Sequence, residues 1–188
     1  QDNFIMLSER ARTLLKLSKL NGVGNVRLRK SLRYIEEGMD FHEISKELPQ
    51  IANALEVTNI SDELIEAEIN RCIENEVRII TIFDSNFPSA VKCDLAGPCI
   101  LFIKGDISIL DKKCLGIVGQ RDTDQKANIY AYRIGKHFAG EGVPILSGLA
   151  KGCDTKAHEA TLEVGGKAIG VLAHGLHMIS PPENQLLA

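Results

Sequence analysis

Basic and hydroxyl side chains follow three short aliphatic runs in the second half of the sequence, each within a glycine-containing loop. Arg121 comes after L-G-I-V-G. Ser147 and Lys151 come after V-P-I-L, and His174 follows K-A-I-G-V-L. Guanidinium, ammonium and hydroxyl groups hold phosphate oxygens, and glycine lets the backbone approach them closely. The chemistry that these loops indicate is the binding of an anion.

The three runs have the length of buried strands, and the first two lead into amphipathic segments of helical length. In a parallel sheet the loops that follow the strands open on one edge, where ligands bind. We therefore expect an α/β fold with a mostly parallel sheet and flanking helices. In that fold Arg121, Ser147 and Lys151 lie with His174 around one crevice, although they are far apart in the sequence.

The first loop, V-G-Q-R (118–121), ends its strand at Gly119, and the next helix is predicted to begin near Asp124 or Gln125. The positive end of that helix then faces the loop. Arg121 is placed to grip an oxyanion through two parallel hydrogen bonds. The alternative is a surface arginine beside a tight turn.

The second loop, S-G-L-A-K-G-C-D (147–154), is the more specific signal. Its two glycines and small alanine around Lys151 predict a backbone nest for an anion. Asp154 is predicted to cap the helix that continues T-K-A-H-E-A-T-L (155–162). Ser147 and Lys151 are expected to face the ligand, and the alternative for Ser147 is a hydroxyl satisfied by the local backbone.

The spacing of the glycines argues against two common nucleotide sites. A dinucleotide fingerprint needs G-x-G-x-x-G and an acidic residue at the end of the second strand. This chain has Gly116 and Gly119 three residues apart, and its second strand ends in Ser147. No G-x-x-x-x-G-K-[ST] segment is present, so ATP hydrolysis by a P-loop is not supported.

The histidines predict neither a metal site nor a general base, and no cofactor is expected. His174 and His177 lie three residues apart without a thiol or carboxylate partner in their loop. His158 follows Asp154 by one helical turn and is interpreted as a hydrogen-bonded helix histidine.

Composition is that of a water-soluble protein of one or two domains: 188 residues, 44% hydrophobic and 25% charged. No apolar run has the length of a membrane helix and the first residues do not resemble a signal peptide, so a cytoplasmic location without membrane attachment is expected. The 5 cysteines contain no C-x-x-C pair and are interpreted as reduced, mostly buried side chains.

The net charge of −3 conceals an uneven distribution. Residues 1–33 hold eight Lys and Arg against two acids, whereas residues 34–76 hold two against twelve. One interpretation is two solvated helical faces of opposite sign packed together, and the other is a nucleic-acid footprint. The first helix is predicted from an apolar stripe that comprises Phe4, Ile5, Leu7, Leu14, Leu15, Leu17 and Leu20.

The segment L-N-G-V-G-N-V-R (20–27) predicts a tight turn between two helices, similar to a helix-hairpin-helix element. Backbone N–H groups at the start of the second helix can face a DNA phosphate. Arg27, Arg29 and Lys30 are therefore candidates for a secondary DNA contact, although such hairpins also serve as structural pieces. A further helix is predicted to begin at Ser61 or Asp62.

Near Val77 the pattern changes from helical to extended. Strands are predicted at 77–83 and 98–106, extending one edge of the sheet that begins at Leu115 in a mixed arrangement. The predicted domain boundary lies at about residue 75, which gives a helical domain over 1–75 and a sheet domain over 76–188.

The motifs V-G-Q-R and S-G-L-A-K-G-C-D-T-K-A-H-E-A-T-L, followed by P-P-E-N, resemble the DNA-processing protein A (DprA, also called Smf) family. D-S-N-F-P and I-L-F-I-K-G-D upstream match the same family. The likeness is strong over 80–188 and loose over 1–75, where the helices resemble a sterile-alpha-motif-like (SAM-like) region. It implies an extended Rossmann-like fold. It further implies single-stranded DNA binding, loading of the RecA recombinase, a role in natural transformation or recombination, and dimerisation.

The family's phosphate-binding loops correspond to two segments of this chain. The matching residues are Gly119, Gln120, Arg121, Ser147, Gly148, Lys151 and Gly152. Gln120 replaces the family's serine and Cys153 an aliphatic residue, and A-H-G-L-H (173–177) departs from the family's G-x-G-L-D. The family continues well beyond Ala188, which predicts either a C-terminally incomplete chain or a sheet that a partner completes.

The sequence favours a DNA-binding protein over an enzyme. The alternative is a nucleotide-processing enzyme similar to phosphoribohydrolases, whose P-G-G-x-G-T-x-x-E segment with its catalytic glutamate does not occur in this chain. A small-nucleotide sensor on the same scaffold is a further alternative.

Overall fold

Three helices of the first part of the chain begin where a polar side chain satisfies one of their free N–H groups. The computed structural model describes residues 7–58, 60–122, 124–178 and 180–188; Phe4 and Ile5 lie outside them. Ser8, Asp40 and Ser61 each accept a hydrogen bond from the backbone N–H three residues on. The five helices are α1 (Glu9–Ser18), α2 (Asn25–Glu36), α3 (Phe41–Glu47), α4 (Pro49–Val57) and α5 (Asp62–Glu74).

The turn between α1 and α2 confirms the predicted helical hairpin. Gly22 has a φ of +77°, a left-handed conformation that favours glycine, and α2 begins directly after Gly24. The predicted start of α5 is also confirmed, since Ser61 caps it.

Helices α1 and α5 meet through ion pairs between the basic and the acidic segment. Arg12 pairs with Glu66, and Lys16 Nζ lies 2.5 Å from Asp62 Oδ1. The contact with Lys16 holds the pKa of Asp62 below its usual value. A third pair joins Lys19 to Glu68. The interpretation of two helical faces of opposite sign is confirmed here.

Two strands follow these helices and form a sheet of their own. Strands β1 (Arg78–Thr81) and β2 (Ile100–Ile103) pair antiparallel, and a short helix, α6 (Ser89–Cys93), lies between them in sequence. Ile79 of β1 and Ile100 of β2 pack against the cluster formed by Leu15, Ile65 and Ile69. The prediction that these strands extend the later sheet is wrong, because their apolar face is used against α1 and α5.

The parallel sheet consists of β3 (Leu115–Gly116), β4 (Ile145–Ser147) and β5 (Ala168–Gly170), in the order β3-β4-β5. The connections are α7 (Gln125–Gly140) and α8 (Cys153–Glu163), which pack along each other. Their core consists of Ala139, Ile145 and Ala157, with Leu115 and Ile117 packed against it. Helix α7 begins near Asp124, as predicted from the sequence, and the Asp124 side chain caps it. This arrangement places the loops after β3 and β4 side by side.

The chain divides into two compact units, Gln1–Gly105 and Asp106–Ala188, so β1 and β2 belong to the helical unit. The domain boundary at about residue 75 stays a prediction. Over the part of the chain that the structure describes, no helix combines the length and the apolar character needed to cross a bilayer.

The 5 cysteines are all free thiols, as predicted. Cys99 and Cys153 are buried, whereas Cys93 and Cys114 are exposed and Cys72 lies between these extremes. Burial raises the pKa of the Cys99 thiol, which keeps it protonated. The expectation that most of the cysteines are buried is therefore wrong for Cys93 and Cys114.

Gly135→Ala is expected to destabilise the second unit. An added Cβ at this position of α7 would lie 2.9 Å from the carbonyl oxygen of Ala157 on α8, so the helices would have to separate. Such overpacking lowers the free energy of unfolding by about 1–3 kcal/mol. Gly140→Ala, on the same helix with no atom within 4 Å of an added Cβ, is the matched control. Urea denaturation followed by circular dichroism measures both, and equal stability of the two variants would contradict the close packing.

Candidate nucleic-acid interface

The loop after β3 is exposed and anchored at both ends. Ile117 donates its N–H to the carbonyl of Leu146 at 2.9 Å, and Asp124 Oδ1 accepts the N–H of Ala127 at 2.7 Å. Between these anchors, Val118 through Arg121 lie in solvent. Among the described residues, none forms an ion pair with Arg121. Its guanidinium is available to a ligand next to the start of α7.

The loop after β4 is held by the side chain that was expected to face the ligand. Ser147 is completely buried, and its hydroxyl donates to the carbonyl of Ile117 at 2.6 Å. The expectation of a ligand-facing Ser147 is therefore wrong in this structure, and the alternative of a hydroxyl satisfied by the backbone describes it. The bond ties the end of β4 to the end of β3, so Ser147 fixes where the two loops emerge.

Asp154 fills much of the backbone nest predicted for an external anion. Its Oδ2 accepts the N–H of Gly148 at 3.0 Å and that of Ala150 at 3.4 Å. Asp154 is buried and lies in the first turn of α8, whereas Gly152 occupies the cap position. The prediction that Asp154 caps the helix is wrong, because its carboxylate turns back into the loop and acts as an internal anion.

The second loop brings one exposed cation and the start of α8 to this edge. Lys151 is exposed, and the N–H groups of Cys153 and Asp154 belong to the first helical turn, which has no intrahelical acceptors for them. Gly152 has a φ of +83°, which favours glycine. The ammonium group of Lys151, which pairs with Glu183, and a positive helix end therefore lie at this edge.

The two loops touch at Gly119. A Cβ added there would lie 2.6 Å from both Cβ and Sγ of Cys153, so only a glycine allows the first loop to rest on the start of α8. Gln120 and Arg121 follow directly and are exposed. Of the sequence-predicted residues, the structure thus brings the Gly119–Arg121 loop together with the Lys151–Gly152 loop.

His158 lies beneath this edge as a buried side chain of α8. Burial lowers its pKa, while a hydrogen bond with the backbone of Ile169 and the charge of Asp154 act in the opposite direction. Its Nε2 has no hydrogen-bond partner within the described residues. A neutral, buried ring with one backbone hydrogen bond agrees with its interpretation as a helix histidine.

The loop after β5 completes the edge. Val171 donates its N–H to the carbonyl of Ser147 at 2.8 Å, which keeps this loop beside the second one. His174 Nδ1 lies 3.2 Å from the carbonyl oxygen of Gly175, and the ring of His177 lies against the same glycine. His174 thus contacts the backbone of its own loop, and the ring of His177 packs against the same loop.

Two of the basic residues of the hairpin, Arg27 and Arg29, donate hydrogen bonds to backbone carbonyls of the helical unit. Arg29 donates to the carbonyls of Val91, Lys92 and Gly97 at 3.0, 3.1 and 3.0 Å. Arg27 donates to the carbonyl of Gly22, and Lys30 is exposed. In this structure the guanidinium of Arg29 fastens the 91–97 segment. DNA contacts by Arg27, Arg29 and Lys30 stay predictions.

A three-stranded parallel sheet with glycine loops and exposed basic side chains at one edge defines an α/β protein of the class that binds ligands at the carboxyl ends of its strands. A family model described as DNA recombination-mediator protein A matches residues 78–188, more than half of the chain. The chain belongs to this family, as the resemblance of its loops predicted.

Curated relatives and a solved structure agree with this membership. "DNA processing protein DprA" of Bacillus subtilis is 35% identical over 116 residues, which is 61% of this chain and 39% of that protein. "Protein Smf" of Escherichia coli is 38% identical over 56% of this chain and 28% of that protein. The X-ray structure of DNA processing protein A from Streptococcus pneumoniae has a TM-score of 0.75 and 25% identity, covering 97% of this chain and 64% of that chain. The chain thus spans less than half the length of these curated relatives.

Proposed function

We propose that this chain binds single-stranded DNA at the edge formed by the loops after β3 and β4. The observation that carries the proposal is the contact between Gly119 and Cys153, which joins the Arg121 loop to the Lys151 loop. A guanidinium, an ammonium and the first-turn N–H groups of α8 then serve neighbouring phosphates of one strand. Membership of a recombination-mediator family supports DNA as the source of those phosphates.

The preference for a single strand follows from the shape of such an edge. Stacked, paired bases cannot enter a crevice between loops, whereas an extended strand can lay its backbone along it. Aromatic residues are only 5% of the chain, so the phosphates contribute more than base stacking does. Binding of this kind weakens with salt because counterions are released from the DNA.

The remaining roles are proposed from the family and its relatives. We propose a cytoplasmic protein that acts as a homodimer in natural transformation or recombination and helps to load RecA onto single strands, as the resemblance of its motifs to this family implies. The description of the family model as a recombination mediator supports the role in recombination. The sheet unit is proposed to be a Rossmann-like domain, and the helical unit a SAM-like one. Binding rather than catalysis is the proposed activity.

Arg121→Ala and Lys151→Ala are each expected to remove about one phosphate contact. The dependence of log K on log salt should become shallower by about 0.7 for each lost contact. Fluorescence anisotropy of a labelled oligo(dT), repeated at several salt concentrations and with duplex of equal length, measures this slope. Lys113→Ala is the matched control, because Lys113 is exposed just before β3, at the opposite edge of the sheet.

Two outcomes would contradict the proposed function. Unchanged slopes in both variants would remove these loops from the binding surface. Release of free base from nucleoside monophosphates would instead indicate the phosphoribohydrolase-like alternative.

A further inference from the structure

The helical turn Pro182–Asn184 is fastened to the loop that carries Lys151. Asn184 is buried, and its Nδ2 donates to the carbonyl of Leu149 at 2.9 Å and to Thr155 Oγ1 at 2.8 Å. Thr155 in turn donates its hydroxyl to the carbonyl of Ala150 at 2.7 Å. These bonds hold the turn against both ends of the loop, so the residue next to Asn184 has a fixed place beside it.

That neighbour is Glu183, and its carboxylate forms an ion pair with the ammonium group of Lys151. The distance between Oε1 and Nζ is 3.1 Å, and the two side chains are 65% and 59% exposed. A hydrogen bond with its own backbone N–H, together with Lys151, lowers the pKa of Glu183, so the carboxylate is charged at neutral pH. The oxygen of a carboxylate and the oxygen of a phosphate make the same kind of contact with an ammonium group.

We propose that Glu183 occupies Lys151 in place of a DNA phosphate, so that a single strand binds this loop by displacing the carboxylate. This inference rests on the proposed function, and it assigns Glu183 as a residue that sets affinity and selects for polyanions. A single phosphate ion gains one contact, with Lys151, and has to compete with one carboxylate for it. A strand that also holds Arg121 and the start of α8 gains several, and therefore displaces Glu183 more readily.

Glu183→Gln is expected to tighten the binding of labelled oligo(dT) by about twofold to fivefold, the range set by exposed ion pairs. Glu141→Gln is the matched control, because Glu141 is exposed at the end of α7, before β4, and its loss changes the net charge equally. Fluorescence anisotropy at one low salt concentration, with circular dichroism to confirm folding, measures both variants.

The same substitution in a Lys151→Ala background identifies the partner through which Glu183 acts. In that background the gain in affinity from Glu183→Gln should shrink to the gain from Glu141→Gln, because the Glu183 carboxylate no longer has an ammonium group to pair with. A gain that persists in full would show general repulsion of DNA and overturn the proposal.

Failure of this inference differs from failure of the proposed function. If Lys151→Ala weakens binding while Glu183→Gln matches its control, the masking by Glu183 is overturned and the DNA site stands. If Lys151→Ala leaves affinity unchanged, Lys151 is not a phosphate contact, and the masking is overturned together with that part of the site.

Discussion

Gly119→Ala is expected to weaken binding of a single strand by about tenfold or more, an effect that corresponds to about 1.4 kcal/mol. The new Cβ would lie 2.6 Å from Cβ and Sγ of Cys153, closer than real side chains approach. The loop that carries Gln120 and Arg121 must therefore move away from the start of α8. Arg121 and Lys151 would then no longer serve adjacent phosphates, which fluorescence anisotropy with oligo(dT) measures directly.

A second substitution tests this steric explanation. Cys153→Gly removes both atoms that the new Cβ would meet, so Gly119→Ala combined with Cys153→Gly should recover much of the lost affinity. Gly116→Ala is the control, because an added Cβ at this position of β3 meets no atom within 4 Å. Full affinity in the Gly119→Ala variant would show that the contact between the loops is dispensable for binding.

Local sequence signals were enough to predict the elements that carry the site. The start of α7 was predicted near Asp124 or Gln125, and that of α5 at a capping Ser61 or Asp62, and both are confirmed. Such signals work because the cap and the N–H group that it binds lie within three residues of each other. The parallel order of β3, β4 and β5 likewise follows from strands that alternate with helices.

Hydrogen bonds between residues that are distant in sequence could not be predicted from such local signals. Ser147 bonds to the carbonyl of Ile117, and Arg29 bonds to carbonyls between Val91 and Gly97. A hydroxyl in a glycine loop, or an arginine in a basic hairpin, has the same sequence signature whether it faces a ligand or a backbone carbonyl of the same protein. Only the register of β3 against β4, or the packing of α2 against the 91–97 segment, decides between them.

The sheet arrangement shows a related limit. The patterns of 77–83 and 98–106 predicted strands correctly, and these strands pair antiparallel with each other. Which sheet they join depends on which apolar surface they cover, and Ile79 and Ile100 cover the cluster around Leu15. Alternation of apolar residues gives the face of a strand but not the element that this face meets.

The role of Asp154 leads to the second large expected effect. Asp154→Leu removes the acceptor for the N–H groups of Gly148 and Ala150, two half-buried residues. A fully buried donor without a partner destabilises a fold by about 1–3 kcal/mol, so the cost at each of these groups lies at the low end of that range. The loop then rearranges to expose these groups to water, and Lys151 is displaced with it. Loss of single-strand affinity and a lower free energy of unfolding are both expected.

Hydrogen exchange distinguishes a local change in this loop from a loss of stability of the whole fold. The amides of Gly148 and Ala150 should lose protection in Asp154→Leu. The amides of α7 should keep their slow exchange, at a rate limited by global unfolding. Asp154→Asn keeps an oxygen acceptor and should preserve much of both protection and binding. If Asp154→Leu binds oligo(dT) as tightly as the unmodified chain, the carboxylate does not shape the phosphate site, and the nest around it serves stability alone.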